Sequence, residues 1–399
     1  GFRDFLPKEA KKRQYVIDKI RGVFESYGFE PLETPALEYA EVLKGKYGEE
    51  EKLIYDFKTR GGDEVALRYD QTVPLARVVA QYGSTSSPQG QPLLPTPFKR
   101  YQIQNVWRGE NPQKGRFREF LQCDADIVGT SSLVADAEII ALVFAIYEAL
   151  GLEVTIKIND RKNLENLDKK IISAIDKLGK IGESAVLSEM IEKGVSNSEA
   201  KEILSTLSNK PQTDDIKMIF EFLKEMSLDI SKVRYEPTLA RGLDYYTGII
   251  FETVIDDSVN SLCSGGRYDN LIGTFAGRDI PAVGFGLGFD RTIEVLEEKN
   301  LLADLESTAK VLVTVFSMEL GEESIKVANE LRNKGINTEL WLDAESKLDK
   351  QLKYASLKNI PYVVIIGPEE AKNGTVTLRD MKTGDQKPAT LEKLIKDFS

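Results

Sequence analysis

Along FREFLQCDADIV, residues 117–128, apolar and polar side chains alternate with the two-residue period of a β-strand. Phe117, Leu121, Cys123, Ala125 and Ile127 fall on one face, and Arg118, Gln122, Asp124 and Asp126 on the other. Such a strand packs with its apolar face and lines something polar with the face that holds two carboxylates. A second strand signal at residues 98–108 makes the pair a hairpin, and its connection, GENPQKGR, is longer than a tight turn, as in a working loop. Arg108 opens that connection, and Lys114, Arg116 and Arg118 follow. One hairpin therefore carries a cationic half able to grip phosphate in a forked geometry and an acidic half able to meet an ammonium or a cationic ring. A salt-laced edge hairpin would have the same spacing.

The chain has 399 residues, more than one hydrophobic core usually supports, which predicts two or three domains. A net charge of -11 argues against non-specific coating of nucleic acid, so any RNA contact must be local. Cys123 and Cys263 form neither a CxxC pair nor a disulfide framework, which suits a reducing, cytosolic setting. The sequence contains no histidine, so the usual zinc ligand sets are absent. Its chemistry must run on carboxylates, arginines, lysines, tyrosines and bound metal. No apolar run approaches membrane-spanning length, and no signal peptide opens the sequence.

Periodicity divides the chain into segments 1–159, 160–233, 234–305 and 306–399. In the first, EAKKRQYVIDKIRGVFESY reads as an amphipathic helix closed by Gly28, and GFEPLETPALEY as extended chain broken by Pro31 and Pro35. Helices follow at 72–82 and 133–150, with EVTIKIN as a strand. The second segment is a run of short, charged helices, an apparent insertion. Strand patterns return in LARGLDYYTGIIFETVI and CSGGRYDNLI, and PAVGFGLGFDRTIEVL reads as a glycine-rich strand feeding a helix. Beyond residue 305, KVLVTVF, INTELWL and PYVVIIG alternate with two helices, predicting a separate α/β domain.

Several motifs admit a structural and a functional reading. GFGLGFDR does not sit early in a βαβ unit, as a dinucleotide fingerprint must; its glycines allow close backbone approach, with Arg291 emerging at the helix start. Arg241 lies between glycine and apolar residues, and a buried guanidinium there needs an anionic partner. Tyr245 and Tyr246 read as strand aromatics, SGGRYDNLIG as a turn, and Asp70 and Thr72 in ALRYDQTVP as the mouth of a helix with Asp70 as cap.

Together these segments resemble the class II aminoacyl-tRNA synthetases and, among them, the histidyl-tRNA synthetase family, over nearly the whole chain. GFRDFLP and ETPALEY resemble the family's N-terminus and motif 1, WRGENPQKGRFREFLQCDADIVG its motif 2, and PAVGFGLGFDRTIEVL its motif 3. LARGLDYYTGIIFE and SGGRYDNLIG resemble the two signatures particular to the histidine enzyme, and RYDQTVP the amino-acid-binding loop with Asp in place of Glu. The resemblance implies an α+β fold: an antiparallel active-site sheet flanked by helices in 1–159 and 234–305, a helical insertion at 160–233, and a C-terminal α/β anticodon-binding domain at 306–399. It implies activation of histidine with ATP and magnesium, transfer to tRNA-His, and a homodimer. By position, Arg108 clamps the α-phosphate, Glu110 orients ATP, Arg116 lines the ATP site, and Arg291 holds the triphosphate tail. Arg241 takes the place of a catalytic arginine that also touches histidine. Asp70 and Thr72 meet the α-amino end with Gln122 lining the histidine pocket, while Asp126 and Tyr246, with Tyr245 beside them, read the imidazole. The metal's protein ligands stay unassigned, with Glu110 a candidate. Two other classes share the resemblance, a regulatory paralogue in histidine biosynthesis and sensors of uncharged tRNA. Both erode the arginines, and Arg108, Arg241 and Arg291 are all present.

Overall fold

The structure, a computed structural model, describes residues 1–83, 93–112, 115–240, 245–255, 261–302 and 307–398, without the side chain of Glu49. Arg241, Asp244 and Lys114 lie outside the described residues. The chain forms two compact units, Gly1–Leu302 and Ala303–Ser399. No described helix is long and apolar enough to cross a membrane.

In the first unit, α1 (Pro7–Ser26) starts with proline in its first turn and buries Val16, Ile20 and Phe24, which recur every four residues. Gly28 then turns the chain with a φ of 74°, a left-handed conformation that favours glycine. Short elements follow: β1 (Glu30–Pro31), β2 (Leu37–Tyr39), α2 (Ala40–Leu43), β3 (Asp56–Lys58) and β4 (Glu64–Leu67). Strands β2, β4 and β3 make a small antiparallel sheet that the sequence pattern did not signal. After α3 (Thr72–Tyr82) come the long strands β5 (Phe98–Trp107) and β6 (Glu119–Val128), then α4 (Leu133–Ala149), capped by the Ser132 hydroxyl, and β7 (Thr155–Asp160).

The charged segment supplies α5 (Lys169–Ile175), α6 (Leu178–Ile181), α7 (Glu183–Glu192), α8 (Asn197–Ser208) and α9 (Asp214–Glu225). Helices α5, α7 and α8 pool Ile172, Ile175, Val186, Met190 and Leu204 in one apolar cluster. Helix α9 instead buries Ile216, Ile219 and Leu223 in the core beneath the main sheet. The unit closes with β8 (Val233–Tyr235), β9 (Ile249–Val254), β10 (Cys263–Arg267), α10 (Gly273–Ala276), β11 (Ala282–Gly288) and α11 (Phe289–Glu298). One expectation is corrected here: Tyr245 and Tyr246 precede β9 rather than lie in a strand. Of the two readings of SGGR, strand and turn, the strand holds, within β10.

Eight strands form one sheet in the order β1-β5-β6-β11-β10-β9-β7-β8. Its inner pairs are antiparallel; the end pairs β1–β5 and β7–β8 are parallel. Leu121, Cys123, Ala125 and Ile127 of β6 join Val283, Phe285 and Leu287 of β11 in the core against α1, α4 and α9. The opposite face of β6 is polar and that of β11 is nearly all glycine, as the period of two distributes them.

The second unit holds β12 (Val311–Val313), α12 (Gly321–Asn333), β13 (Thr338–Leu340), α13 (Leu348–Leu357), β14 (Tyr362–Ile365), α14 (Pro368–Asn373), β15 (Val376–Asp380), β16 (Gln386–Ala389) and α15 (Leu391–Phe398). Strands β13, β12 and β14 are parallel, joined by the two helices read from the sequence. β15 and β16 extend the sheet as an antiparallel hairpin.

Candidate active site

The polar face of the eight-stranded sheet floors a cleft of about 420 Å³. Pairing decides its depth. Gly284 of β11 stands opposite Asp126 of β6, and Gly286 opposite Asp124. A Cβ at Gly284 would overlap the Asp126 carboxylate, and one at Gly286 would come within 2.8 Å of Gln122 Nε2. Neighbouring Gly266 of β10 lies under the ring of Tyr246, with no room for a Cβ. The glycines of GFGLG and SGG thus leave a smooth floor over which carboxylates and a flat ligand fit.

At one end Asp126 is 2% exposed, accepts from the Tyr268 hydroxyl, and pairs with Arg100 Nη2 at 2.6 Å. Burial pushes its carboxyl up, while Arg100 and Tyr268 oppose the rise. Asp124, 1% exposed, is pushed well above the usual carboxylate range by burial, with Arg100 opposing and Asp126 and Asp70 adding to the shift. Tyr245 stacks in this corner, its ring 4.8 Å from that of Tyr246 and 5.8 Å from that of Tyr268. An aromatic box with a buried carboxylate and phenols suits a small ring that offers one donor and one acceptor.

Asp70 ends the strand side of α3. Its Oδ1 accepts from the Val73 amide at 3.1 Å and from the Tyr47 hydroxyl at 2.9 Å; Gln71, not Asp70, holds the cap position, yet Asp70 bonds the first turn of α3 while lining the cleft. Burial pushes this carboxyl up too, against those bonds and Arg108. Thr72 and Gln122 line the cleft beside it.

The cationic end is built on the β5–β6 connection. Arg108 donates through Nε to the Tyr69 carbonyl at 3.1 Å, and its guanidinium lies 4.4 Å from the Tyr69 ring and 5.2 Å from that of Phe120. Burial opposes its charge, but Tyr69, Asp70, Glu50 and Glu110 outweigh this and raise its pKa. Arg291 enters from α11 and donates to the Ser261 carbonyl at 2.7 Å. Its pKa falls through burial and the nearby charge of Arg116. Arg116 is half exposed and pairs with Glu110 at 3.4 Å. Two neighbouring guanidinium groups in a cleft favour a polyanion.

The structure thus brings Asp70, Thr72, Arg108, Glu110, Arg116, Gln122, Asp126, Tyr245, Tyr246 and Arg291 to one cleft. Comparison with known proteins extends this pattern to the whole chain. The model of the histidyl-tRNA synthetase family matches residues 1–292, and that of an anticodon binding domain residues 310–399. The chain belongs to the histidyl-tRNA synthetase family. The histidine–tRNA ligase of Wolinella succinogenes is 40% identical over 425 residues, covering 97% of this chain and 94% of that protein. A crystal structure of histidyl-tRNA synthetase from Nostoc sp. PCC 7120 superposes with a TM-score of 0.85 at 33% identity, over 100% of this chain and 97% of that one. An ATP phosphoribosyltransferase regulatory subunit/histidyl-tRNA synthetase from Bacillus halodurans C gives 0.71 at 25% identity, over 89% of this chain and 95% of that one.

Within this family member, several residues that shape the cleft have no role in the sequence reading: Arg100, Asp124, known there only as part of a polar face, Tyr268, Tyr47 and Tyr69. A signal for the first two was present. In KRYQIQ, Arg100, Gln102 and Gln104 alternate as Gln122, Asp124 and Asp126 do, and the two polar stripes pair directly, Arg100 against Asp126 and Gln102 against Asp124. The tyrosines gave no such cue, because their partners are distant in sequence.

Proposed function

We propose that this cleft joins histidine to ATP, forming histidyl-adenylate and pyrophosphate, and then passes the histidyl group to the terminal adenosine of tRNA-His. The observation that carries the reading is the polarity of the cleft. Buried carboxylates and phenols occupy one end and guanidinium groups the other, over a glycine floor.

In the first step a carboxylate oxygen of histidine attacks the α-phosphorus, and the bond to the bridging oxygen breaks, sending its electron pair to pyrophosphate. Arg108 meets the charge gathering on the α-phosphate, Glu110 orients the nucleotide, and Arg116 and Arg291 hold its tail. Arg241, by resemblance, adds a second cation at the reacting phosphate. Asp70 and Thr72 receive the α-ammonium, with Gln122 lining the pocket beside them. Asp126 and Tyr246, with Tyr245 alongside, read the ring. Among the described residues no group of three acidic or thiol side chains forms a metal cage. Magnesium, held chiefly by the phosphates as its chemistry favours, would neutralise phosphate charge, with Glu110 the candidate protein ligand. Segment 160–233 acts as the helical insertion, and 306–399 meets the anticodon.

Histidine-dependent exchange of pyrophosphate into ATP tests the reading; exchange equally fast without histidine, or with none of the amino acids, overturns it. The pH profile tests the ring assignment. Only a neutral imidazole offers one donor and one acceptor, so kcat/KM for histidine should fall as pH drops below about 6.5. The chain has no histidine of its own to produce that limb. A ring-fluorinated histidine, which titrates lower, should move the limb down; a fixed limb would assign the titration to a protein group such as Asp126, whose carboxyl burial pushes up.

The same reading makes the protein a homodimer built on α1 and the proline-rich segment after it. Exposed Leu37, Tyr39 and Phe57 on the small sheet support an apolar partner surface there. Sedimentation at micromolar concentration should give twice the chain mass, and a monomer would contradict the assignment.

A further inference from the structure

Asp124 lies in the floor of the cleft, yet the roles above leave it without one. Its carboxylate accepts from Gln122 Nε2 through both oxygens, at 3.1 and 3.3 Å. Gln122 stands two residues earlier on the same face of β6, and its other amide atom, Oε1, is buried with no hydrogen-bond partner among the described residues. A buried acceptor left unpaired inside a cleft points to a donor on the ligand. The surroundings say which donor. Gln71 Nε2 donates to the Gln122 carbonyl at 3.2 Å and to the Gln104 carbonyl at 2.8 Å. Those bonds tie Gln122 to the start of α3, where Asp70 and Thr72 stand. Gly286 across the strand makes the room: a Cβ there would lie 2.8 Å from Gln122 Nε2 and 3.2 Å from Asp124 Oδ1.

We propose that Asp124 is a positioning residue for the amino acid: it turns the amide nitrogen of Gln122 away from the cleft, so that the amide oxygen accepts from the substrate's α-ammonium beside Asp70 and Thr72. The inference rests on the amino-acid-activating reading of this cleft. An amide has a donor end and an acceptor end of nearly equal size. Reversed, it would aim N–H groups at an ammonium and its oxygen at a carboxylate, two repulsive contacts in place of two attractive ones. The arrangement does not need an ionised Asp124. A neutral carboxyl still keeps an unprotonated oxygen to accept from Nε2.

Asp124→Leu keeps the side-chain shape and removes a carboxyl from beside Asp126 and Asp70, so loss of the fold is not expected. In pyrophosphate exchange its KM for histidine should rise about tenfold or more, while kcat and KM for ATP stay within about twofold. Asp124→Asn keeps an acceptor oxygen but also offers a donor, and should raise KM for histidine by about two- to fivefold. Affinity for 3-(imidazol-4-yl)propionate, which has the ring but no ammonium, should not change in either variant. In a Gln122→Ala background, Asp124→Leu should add no further effect, since the pair then acts as one unit. Equal losses for histidine and the ammonium-free analogue would overturn the proposal. So would a further loss in the Gln122→Ala background, which would mean direct contact. Should Asp124→Leu not fold, Asp124→Asn decides alone, and an unchanged KM there is a refutation. A wild-type protein without histidine-dependent exchange ends the functional reading and this inference together. Normal wild-type exchange with an unaffected Asp124→Leu ends this inference alone.

Discussion

Replacing Arg108 by alanine should lower the rate of pyrophosphate exchange by about 10²–10³, the cost of removing one fixed charge stabiliser from a transition state. The geometry explains why the charge is ready before substrate arrives. One edge of the side chain is bound to the Tyr69 carbonyl, and the guanidinium plane is steadied by the rings of Tyr69 and Phe120. Asp70, Glu50 and Glu110 favour its ionised form despite burial. An arginine held this way does not need to reorganise as charge builds on the α-phosphate. Arg108→Lys should recover little, because an ammonium has neither the planar fork nor the stacking surface. Steady-state kinetics provide the check. A rise in KM for ATP with kcat intact would mean that Arg108 binds ground state and transition state alike, contrary to the role assigned.

The second large effect concerns a residue with no direct place in the reaction. Arg100 is fully buried, pairs with Asp126 at 2.6 Å, and reaches Gln102 and the Gln71 carbonyl. Arg100→Met should destabilise the protein by about 3–5 kcal/mol, since it leaves a buried carboxylate without its cation. The loss should depend on pH in a definite sense. Without Arg100 the folded-state pKa of Asp126, already raised by burial, rises further above its unfolded value. The native state then holds the proton more tightly than the unfolded chain. Its stability falls as pH rises from about 4 toward the folded pKa. Urea denaturation should therefore show a smaller deficit at pH 4.5 than at pH 7.5. An equal deficit at both would attribute the loss to packing alone. Histidine affinity should drop as well, because a protonated Asp126 no longer offers an acceptor-only carboxylate to the ring.

Both residues bear on how a site becomes legible. Arg108 announced itself, standing at the head of a long, basic hairpin connection. Arg100 was equally visible as a letter in KRYQIQ, between Lys99 and Tyr101, but a charge on a strand reads as an edge charge until its neighbour is known. Its neighbour is Asp126, across the β5–β6 pair.

Local pattern determined a good deal of this protein. The two-residue period of β6 required a polar face over an apolar core, the four-residue spacing of Val16, Ile20 and Phe24 required a helix packed on one side, and the alternation after residue 305 required a parallel sheet with crossover helices. These follow from backbone geometry and burial, which act over a few residues. What sequence could not decide is set by contacts between distant segments. The glycines of β11 became a cleft floor only because that strand inserts between β6 and β10, placing Gly284 against Asp126. Tyr268 became a partner of Asp126 across 142 residues of chain. Helices α8 and α9 have similar amphipathic faces, yet one packs with the charged helices and the other under the main sheet. An apolar stripe specifies that a helix is buried on one side, but carries no record of which surface covers it. That choice belongs to the shape of the whole core, and only the tertiary structure makes it.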